Sequence, residues 1–542
     1  MTKKTNWNEL RSIPPGKMKQ AKKALEEVRQ GMAVETALRR NTWQEAPLHK
    51  SALVAAYYAL VDSGELAADE KLLRAIRLKP MRTLSGVTTV TVLTKPHPCP
   101  GVCIFCPDDV RMPKSYLPDE PGAMRAVEHD FDPYAQVVAR LAALTSVGHP
   151  TDKVELLILG GCFSSYPREY QAWFVQRCFE AMNAGEENNP VTGGEEEVDL
   201  DTLAQAHRLN ESSRHRNVGL AVETRPDEIT PEELGWMRDL GVTKVQVGAQ
   251  NLDDRILELN RRGHTVQELH RAVALLRAGG FKIVLHWMPN LLGASLDSDR
   301  DDFPRLWQGL CPDEIKIYPT QLLEGTVLHS LWQKGEYQPY TTQELVSLIA
   351  DIKPSIPRYC RVNRIIRDIP STHVVAGNKR TSLRQDVQAE LRRRESRCNC
   401  IRCREVRGET VEPASLRLDD LVYHPGGAEE HFLSFVTPGD RIAGFLRLSF
   451  PGLEAPWTGL TDLAGAAIIR EVHVYGQSLR VGGEQAGAAQ HSGLGTRLLD
   501  EATRLAVEKG YRRMAVIAAV GTRLYYLERG FRRGEKYLLM DL

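Results

Sequence analysis

Apolar and polar positions along this chain fall into three regimes. Residues 1 to about 80 read as helices, with apolar residues 53 to 61 supplying a packing face. From about residue 86 the pattern changes to short β-rich runs at 87–93, 154–159, 218–223, 244–248, 282–288 and 314–318. Helix-like segments lie between them, around 133–147, 168–182, 231–240, 266–278 and 301–309. Repeated strand-then-helix units predict a parallel sheet with right-handed crossovers. Six such units predict a partial (β/α)6 barrel, open on one side. From about 411 to the end the pattern is strands, a Gly turn, a helix, a strand, a helix and a last strand. The expected fold class is α/β, in four parts. These are a basic helical region over 1–80, a barrel over 81–375, a basic cysteine-rich linker over 376–410 and a second α/β domain over 411–542.

Composition narrows the partners. At 542 residues the chain accommodates two or more cores. Lys plus Arg equals Asp plus Glu at 70 each, so nucleic-acid binding must come from local patches. Lys17, Lys19, Lys22, Lys23, Arg29, Arg39 and Arg40 punctuate the first forty residues, and Lys71, Arg74, Arg77, Lys79 and Arg82 follow. Arg392, Arg393, Arg394, Arg397, Arg402, Arg404 and Arg407 crowd the linker. Such runs are either solvated helical faces or an arm for a phosphate backbone. The acidic stretch 185–201 reads as a surface loop. Six of the ten cysteines sit in two tight clusters, which points to metal binding in a reducing cytoplasm. No apolar segment is long enough for a signal peptide or a membrane span.

The strongest chemical signal is Cys99, Cys103 and Cys106 in the run Cys-Pro-Gly-Val-Cys-Ile-Phe-Cys. A [4Fe–4S] centre normally takes four thiolates, so three leave one iron free for another ligand. A zinc loop with a distant fourth ligand, or three unrelated thiols, is the alternative. Ligands on parallel α/β sheets bind at the carboxyl ends of strands, and the informative residues cluster there. Gly160 and Gly161 end the second strand and allow close backbone approach. Glu223 and Arg225 end the third and can make charge-assisted hydrogen bonds. Gln250 ends the fourth, and Lys316 and Tyr318 lie on the sixth. Each alone is open to a structural reading: a turn, a buried ion pair, a capping amide. Cys162 and Cys178 read as packed thiols.

A second site opens the helix near 494. Gln490, Gly493, Leu494 and Gly495 lie in a Q-x-x-G-x-G turn that frees backbone N–H groups for a pyrophosphate. Glu471, Val472, His473 and Val474 precede it on a strand, and Tyr525 and Tyr526 follow. A dinucleotide site is the other reading of the glycines. The third cluster, Cys398, Cys400 and Cys403, reads as a structural Zn²⁺ site with Cys311 as fourth ligand, and a second Fe–S centre is its rival.

The cysteine triplet and the strand ends resemble the radical S-adenosylmethionine (SAM) superfamily, and the glycine turn resembles the GNAT-type acetyltransferases. Together, with the runs Lys95–Pro100, Glu223–Asp227, Asn260–Thr265, Lys316–Thr320, Arg367–Pro370 and Arg470–Gly476, the chain is similar to the family of the Elongator catalytic subunit in its bacterial and archaeal single-protein form. The compact first cluster departs from the longer gap of animal relatives, and the second cysteine cluster looks like a microbial feature. The resemblance implies a [4Fe–4S] cluster, SAM bound on its open iron, and acetyl-CoA as co-substrate. It implies modification of wobble uridine 34 in the tRNA anticodon stem-loop. A SAM-derived radical takes hydrogen from the acetyl methyl, the carbon adds at uridine C5, and thioester hydrolysis leaves 5-carboxymethyluridine. It places acetyl-CoA contacts on Glu471 to Val474, Leu494 to Thr496, Tyr526 and Lys153, and requires the two sites to face each other. Lys316 and Tyr318 are the expected substrate-positioning pair. An electron donor is needed, no membrane partner is expected, and both monomer and homodimer stay open. Two readings compete. One is a protein acetyltransferase with a structural Fe–S cluster, using Glu471 or His473 as base. The other is a non-catalytic tRNA-binding scaffold.

Overall fold

The computed structural model describes residues 13–78, 86–185, 199–407, 409, 411–475 and 493–542. The N-terminal region is helical, as expected: α1 (Pro15–Arg29), α2 (Val34–Arg40), α3 (Lys50–Asp62) and α4 (Glu70–Ile76), with a two-residue-per-strand hairpin, β1 (Thr42–Trp43) and β2 (Ala46–Pro47), between α2 and α3. Asp69 caps α4 by accepting from the backbone N–H groups of Lys71 and Leu72. Ala21, Ala24 and Leu25 of α1 pack on Leu53 and Ala56 of α3 and Ile76 of α4, a core separate from the rest of the chain. The buried Arg77 guanidinium ties this region to the barrel through the Gly148 carbonyl, at 2.6 Å.

The barrel is one sheet of seven parallel strands in sequential order: β3 (Thr88–Leu93), β4 (Lys153–Leu159), β5 (Arg216–Thr224), β6 (Lys244–Gln250), β7 (Lys282–Trp287), β8 (Glu314–Ile317) and β9 (Arg361–Ile365). Six match the sequence pattern. The seventh, β9, extends the sheet beyond the expected six units. Its residues read Arg-Val-Asn-Arg-Ile, too polar and too short to register as a strand. Helices Arg168–Met182 and Val266–Ala278 form as expected. The helix expected at 301–309 is instead Leu296–Asp302, followed by a 3₁₀ turn over Phe303–Trp307. Ser295 starts it early with a capping box, and Pro304 cannot continue it. Helix Leu200–Asn210 directly follows the acidic segment, whose residues 186–198 lie outside the described ones.

The C-terminal domain is a seven-stranded sheet in the order β10 (Arg417–Tyr423), β11 (Ala428–Val436), β12 (Ile442–Pro451), β13 (Ala467–Val474), β14 (Arg513–Val516), β16 (Leu538–Asp541) and β15 (Arg532–Arg533). All neighbours are antiparallel except β13 and β14. These two pair only from Ala467 to Ile469, so Arg470–Val474 leave β14 and open a cleft. A bulge at Arg470, where Arg447 faces Glu471 and Leu448 faces Ile469, gives the strand its bend. The linker forms helix Leu383–Arg393 and the short helix Ile401–Arg404, packed on helix Thr342–Ile352 and β9.

This domain sits under the N-terminal ends of the barrel strands. Asp313, just before β8, receives Arg470 at 2.5 and 2.9 Å and Arg447 at 3.3 Å, all nearly inaccessible to solvent. Lys282, the first residue of β7, meets Glu471 at 2.5 Å. The Tyr537 hydroxyl donates to the Gly279 carbonyl at 2.6 Å. The apolar cores of barrel, linker and C-terminal domain are continuous. Among the described residues no helix is long and apolar enough to cross a membrane.

Candidate functional site

Cys99, Cys103 and Cys106 occupy the loop after β3, each partly exposed. The Cys106 thiol donates to Cys103, and this bond, with Arg262 and Arg225 nearby, holds the Cys103 thiol down to about 5 against the effect of burial. Cys106 is pushed up by the same bond and by burial. The Arg262 guanidinium lies 3.5 Å from the Cys103 sulfur and anchors on the Gly248 carbonyl at 2.9 Å. Three thiols with a thiolate-stabilising cation beside them suit an iron–sulfur cluster.

The strand ends surround this loop. Gly160 adopts φ +146°, and a Cβ there would lie 1.8 Å from the Thr94 hydroxyl oxygen. Gly161 adopts φ +88° with the Lys114 carbonyl 3.3 Å from a notional Cβ. Only glycines fit, and the turn presents bare backbone. Glu223 accepts from the Tyr116 hydroxyl at 2.9 Å and from the Lys316 ammonium at 3.4 Å, with His286 Nε2 at 4.0 Å. Tyr318 packs edge-on against the His286 ring, and Lys316 lies over its face at 5.6 Å. Arg225 grips Asp227 with Nε and Nη2 at 2.9 and 2.8 Å. Its buried Nη1 and the buried Oε1 of Gln250 have no hydrogen-bond partner among the described residues. A buried polar atom without a partner is costly, so a donor and an acceptor stand ready for a polar ligand. Sequence reading gives no role to Arg262 or Tyr116, and marks His286 only as a residue at the end of the fifth strand. Tyr116 is 107 residues from the carboxylate it binds, so no local pattern marks it. Burial holds His286 far below the usual histidine range, in its neutral form.

The second site centres on the cleft beside β13. Gly493 caps helix Leu494–Glu508 in the left-handed region, φ +68°. A Cβ on Gly495 would lie 2.7 Å from the Tyr525 hydroxyl, which also bonds the Thr496 hydroxyl. Tyr526 is buried and lines the cleft with Val472. Val474 does not line the cavity but packs against the core, its Cγ2 3.9 Å from a notional Cβ on Gly495. Gln490 lies outside the described residues. Glu471 and His473 do not have the character of a free base. Burial would raise the Glu471 carboxyl, but Lys282 and Arg447, the latter at 2.9 Å, outweigh it and hold it at about 2. Burial pushes His473 down to about 4. Lys153, the first residue of β4, pairs in register with Arg216 at the same end of the barrel as this cleft, but it does not line the cavity.

One cavity of about 1350 Å³ runs from the cysteine loop to the β13 cleft, while Gly493 to Thr496 and Tyr525 do not line it. Its walls include Cys99, Cys103 and Cys106 at one end and Val472, His473 and Tyr526 at the other. The cysteine loop and the β13 cleft thus open into one cavity from opposite ends of the barrel lumen, because the C-terminal domain docks beneath the strands rather than over the cluster loop.

The third cluster forms as a trio. The sulfurs of Cys398, Cys400 and Cys403 lie within 4.8 Å of one another. Cys311 does not join them: its thiol donates to the Trp307 carbonyl at 3.3 Å and it also contacts Tyr359. It turns away because the chain at Cys311 takes a left-handed bend, φ +44°, between the 3₁₀ turn and β8. The linker arginines are less free than the sequence implied. Arg393 and Arg394 clamp Glu390, Arg394 also reaches Asp351, and Arg404 pairs with Asp440.

A half-open parallel barrel with a three-cysteine loop after its first strand defines a radical SAM protein. Models of the Radical SAM superfamily match residues 97–301, and of the Radical_SAM C-terminal domain residues 312–393. A tRNA uridine(34) acetyltransferase of Dehalococcoides mccartyi is 42% identical over 86% of this chain and 99% of its own. The Elongator complex protein 3 of Homo sapiens is 34% identical over 87% of each chain. A solved structure of the archaeal Methanocaldococcus infernus Elp3 with an N-terminal deletion covers 84% of this chain, with a TM-score of 0.71 at 34% identity. The chain belongs to the family of the tRNA uridine(34) acetyltransferases and Elongator complex protein 3.

Proposed function

We propose that this chain modifies the wobble uridine of tRNA, using SAM and acetyl-CoA to build 5-carboxymethyluridine at position 34. The observation that carries this reading is the single cavity shared by the cysteine loop and the β13 cleft. A cluster on Cys99, Cys103 and Cys106, with SAM on it, supplies hydrogen abstraction from carbon. The chain's own residues position and exclude water. The Gly160–Gly161 turn, the spare Nη1 of Arg225 and the Gln250 carbonyl offer polar contacts to SAM. Lys316 and Tyr318 border the uridine, which must leave the anticodon stack to enter. Gly493 to Thr496 and Val472 to Val474 hold acetyl-CoA in the cleft. Basic residues of the N-terminal helices meet the tRNA backbone, and an external electron donor serves the cluster.

A protein acetyltransferase needs a general base near the thioester, and Glu471, locked between Lys282 and Arg447, is a poor one. The three close sulfurs of Cys398, Cys400 and Cys403 favour a single Zn²⁺ over a second cluster. Zn–S bonds of about 2.3 Å place tetrahedral sulfurs about 3.8 Å apart, inside the 4.8 Å limit the trio satisfies. Metal analysis checks this: one zinc per chain is expected, and iron at twice the stoichiometry of one cluster with no zinc refutes it.

The test of function is anaerobic incubation of the reconstituted enzyme with tRNA, SAM, acetyl-CoA and reductant, followed by mass spectrometry of the nucleosides. Carboxymethyluridine should form, and Cys103→Ser should abolish it. Equal product from that variant would sink the radical reading.

A further inference from the structure

Strand alternation sends every second residue of the barrel into its lumen. The floor, at the N-terminal ends, is a belt of paired charges: Lys244 with Glu155 and Glu314, and Lys282 with Glu314 and Glu471. The roof is Glu223, His286 and Lys316, beside the cysteine loop. Between floor and roof the wall is uneven. Gln246 on β6 and Val284 on β7 line the cavity but add almost no surface, while Arg361 and Asn363 on β9 are partly exposed at its far side. Thr91 on β3, Leu157 on β4 and Gly219 on β5 keep accessible surface and line the same cavity. Of the two accessible flanks, β3–β5 is the one above the C-terminal cleft, because Gly521 packs on Arg216 and Asn217 of β5. Gly219 needs no glycine on backbone grounds. A Cβ there meets nothing closer than Glu155 Cγ at 3.6 Å and Thr243 Oγ1 at 3.9 Å, so its bareness leaves room in the passage.

The lower end of this passage continues into the cleft where β13 leaves β14, walled by Val472, Ile517, Ala519 and Tyr526. The six residues of β7, Lys282–Trp287, span about 17–20 Å at roughly 3.3 Å each. A molecule bound by the C-terminal domain thus reaches the cysteine loop only with an extended arm.

We propose that the β3–β5 side of the lumen is the conduit for the thioester arm of acetyl-CoA, with Leu157 and Gly219 as its positioning residues. This rests on the acetyl-CoA reading above. The phosphates stay at the start of helix Leu494–Glu508, whose first backbone N–H groups have no intrahelical acceptor. The arm is long, uncharged and amide-bearing. Leu157 suits its methylenes, and the charge belt offers partners to its amides. Its acyl carbon emerges between Glu223 and the cysteine loop, and the uridine enters separately.

Bromoacetyl-CoA, a reactive mimic of the thioester, tests this on the reconstituted full chain carrying Leu157→Cys. The new thiolate displaces bromide to form a thioether, read at position 157 by peptide mass spectrometry. Labelling should exceed that by free bromoacetamide by about tenfold or more, since a tethered group acts at raised effective concentration, and excess CoA should suppress it. Adding Gly219→Leu should leave CoA binding by equilibrium dialysis intact and remove the labelling. Bound CoA with no labelling at 157, or labelling indifferent to Gly219→Leu, overturns the conduit alone. Failure to bind CoA at all overturns the acetyl-CoA reading with it.

Discussion

Gly160 shows how one backbone position governs the mouth of the barrel. Its φ of +146° and the Thr94 hydroxyl 1.8 Å from a notional Cβ leave no room for a side chain. Gly160→Ala should cost about 1–3 kcal/mol, the range for strain at such positions, read as a lowered melting temperature together with weakened SAM binding. Glu223 is the hub of the roof, joining Tyr116 and Lys316. Glu223→Gln keeps the volume and removes the charge. Tm should hold while the modification rate falls about ten- to a hundredfold, the equivalent of the 1.5–3 kcal/mol of a hydrogen bond to a charged group. An unaltered rate would deny Glu223 any part in positioning. Glu223 and Gly160 were legible in sequence because strand ends and glycine pairs are local signals. Tyr116 and Arg262 had no such signal, since their partners lie across the fold.

At the scale of elements, β8 and β13 are joined by charge rather than by apolar packing alone. Asp313 faces two arginines, Arg447 and Arg470, with essentially no solvent access. Removing it leaves two buried cations short of a partner. Asp313→Ala should therefore destabilise the chain by about 3–5 kcal/mol, measured by urea unfolding. A loss below 1 kcal/mol would mean that water reaches the pair. Six barrel strands were readable because they are apolar and β-branched. β9 was not, because Arg361, Asn363 and Arg364 make its pattern polar, and only pairing with β8 makes it a strand. Cys311 lies apart from the trio of Cys398, Cys400 and Cys403 for a similar reason. Its place in the chain, before a strand near the linker, looked suitable, but a left-handed bend turns its thiol to the Trp307 carbonyl.

Across the whole molecule, the junction of barrel and C-terminal domain carries a pH signature. Glu471 has an ordinary value of 4.5 and sits at about 2 when folded. A depressed folded value means the unfolded state takes up protons first as pH falls. Its contribution is full above about 4.5 and is lost as pH falls toward 2. The urea midpoint should drop over that window, and Glu471→Gln should flatten the drop. An identical slope in the variant would remove Glu471 from the account. The N-terminal helices make the other global prediction. Their lysines should give tRNA binding that weakens steeply with salt. Deleting residues 1–75 should lower both the affinity and the salt slope, as measured by filter binding. Binding that ignores the deletion would place the tRNA contact elsewhere.

The sequence by itself determined the α/β class, the order of the parts, the cysteine loop and the glycine turn. Each rests on neighbours within a few residues, where spacing dictates conformation and ligand chemistry. Only the tertiary structure decided how the two sites are related. Which end of the barrel meets the C-terminal domain depends on Asp313, Arg447 and Arg470 finding one another across more than a hundred residues. That pairing puts the β13 cleft below the lumen and the cysteine loop above it, with one cavity running between them.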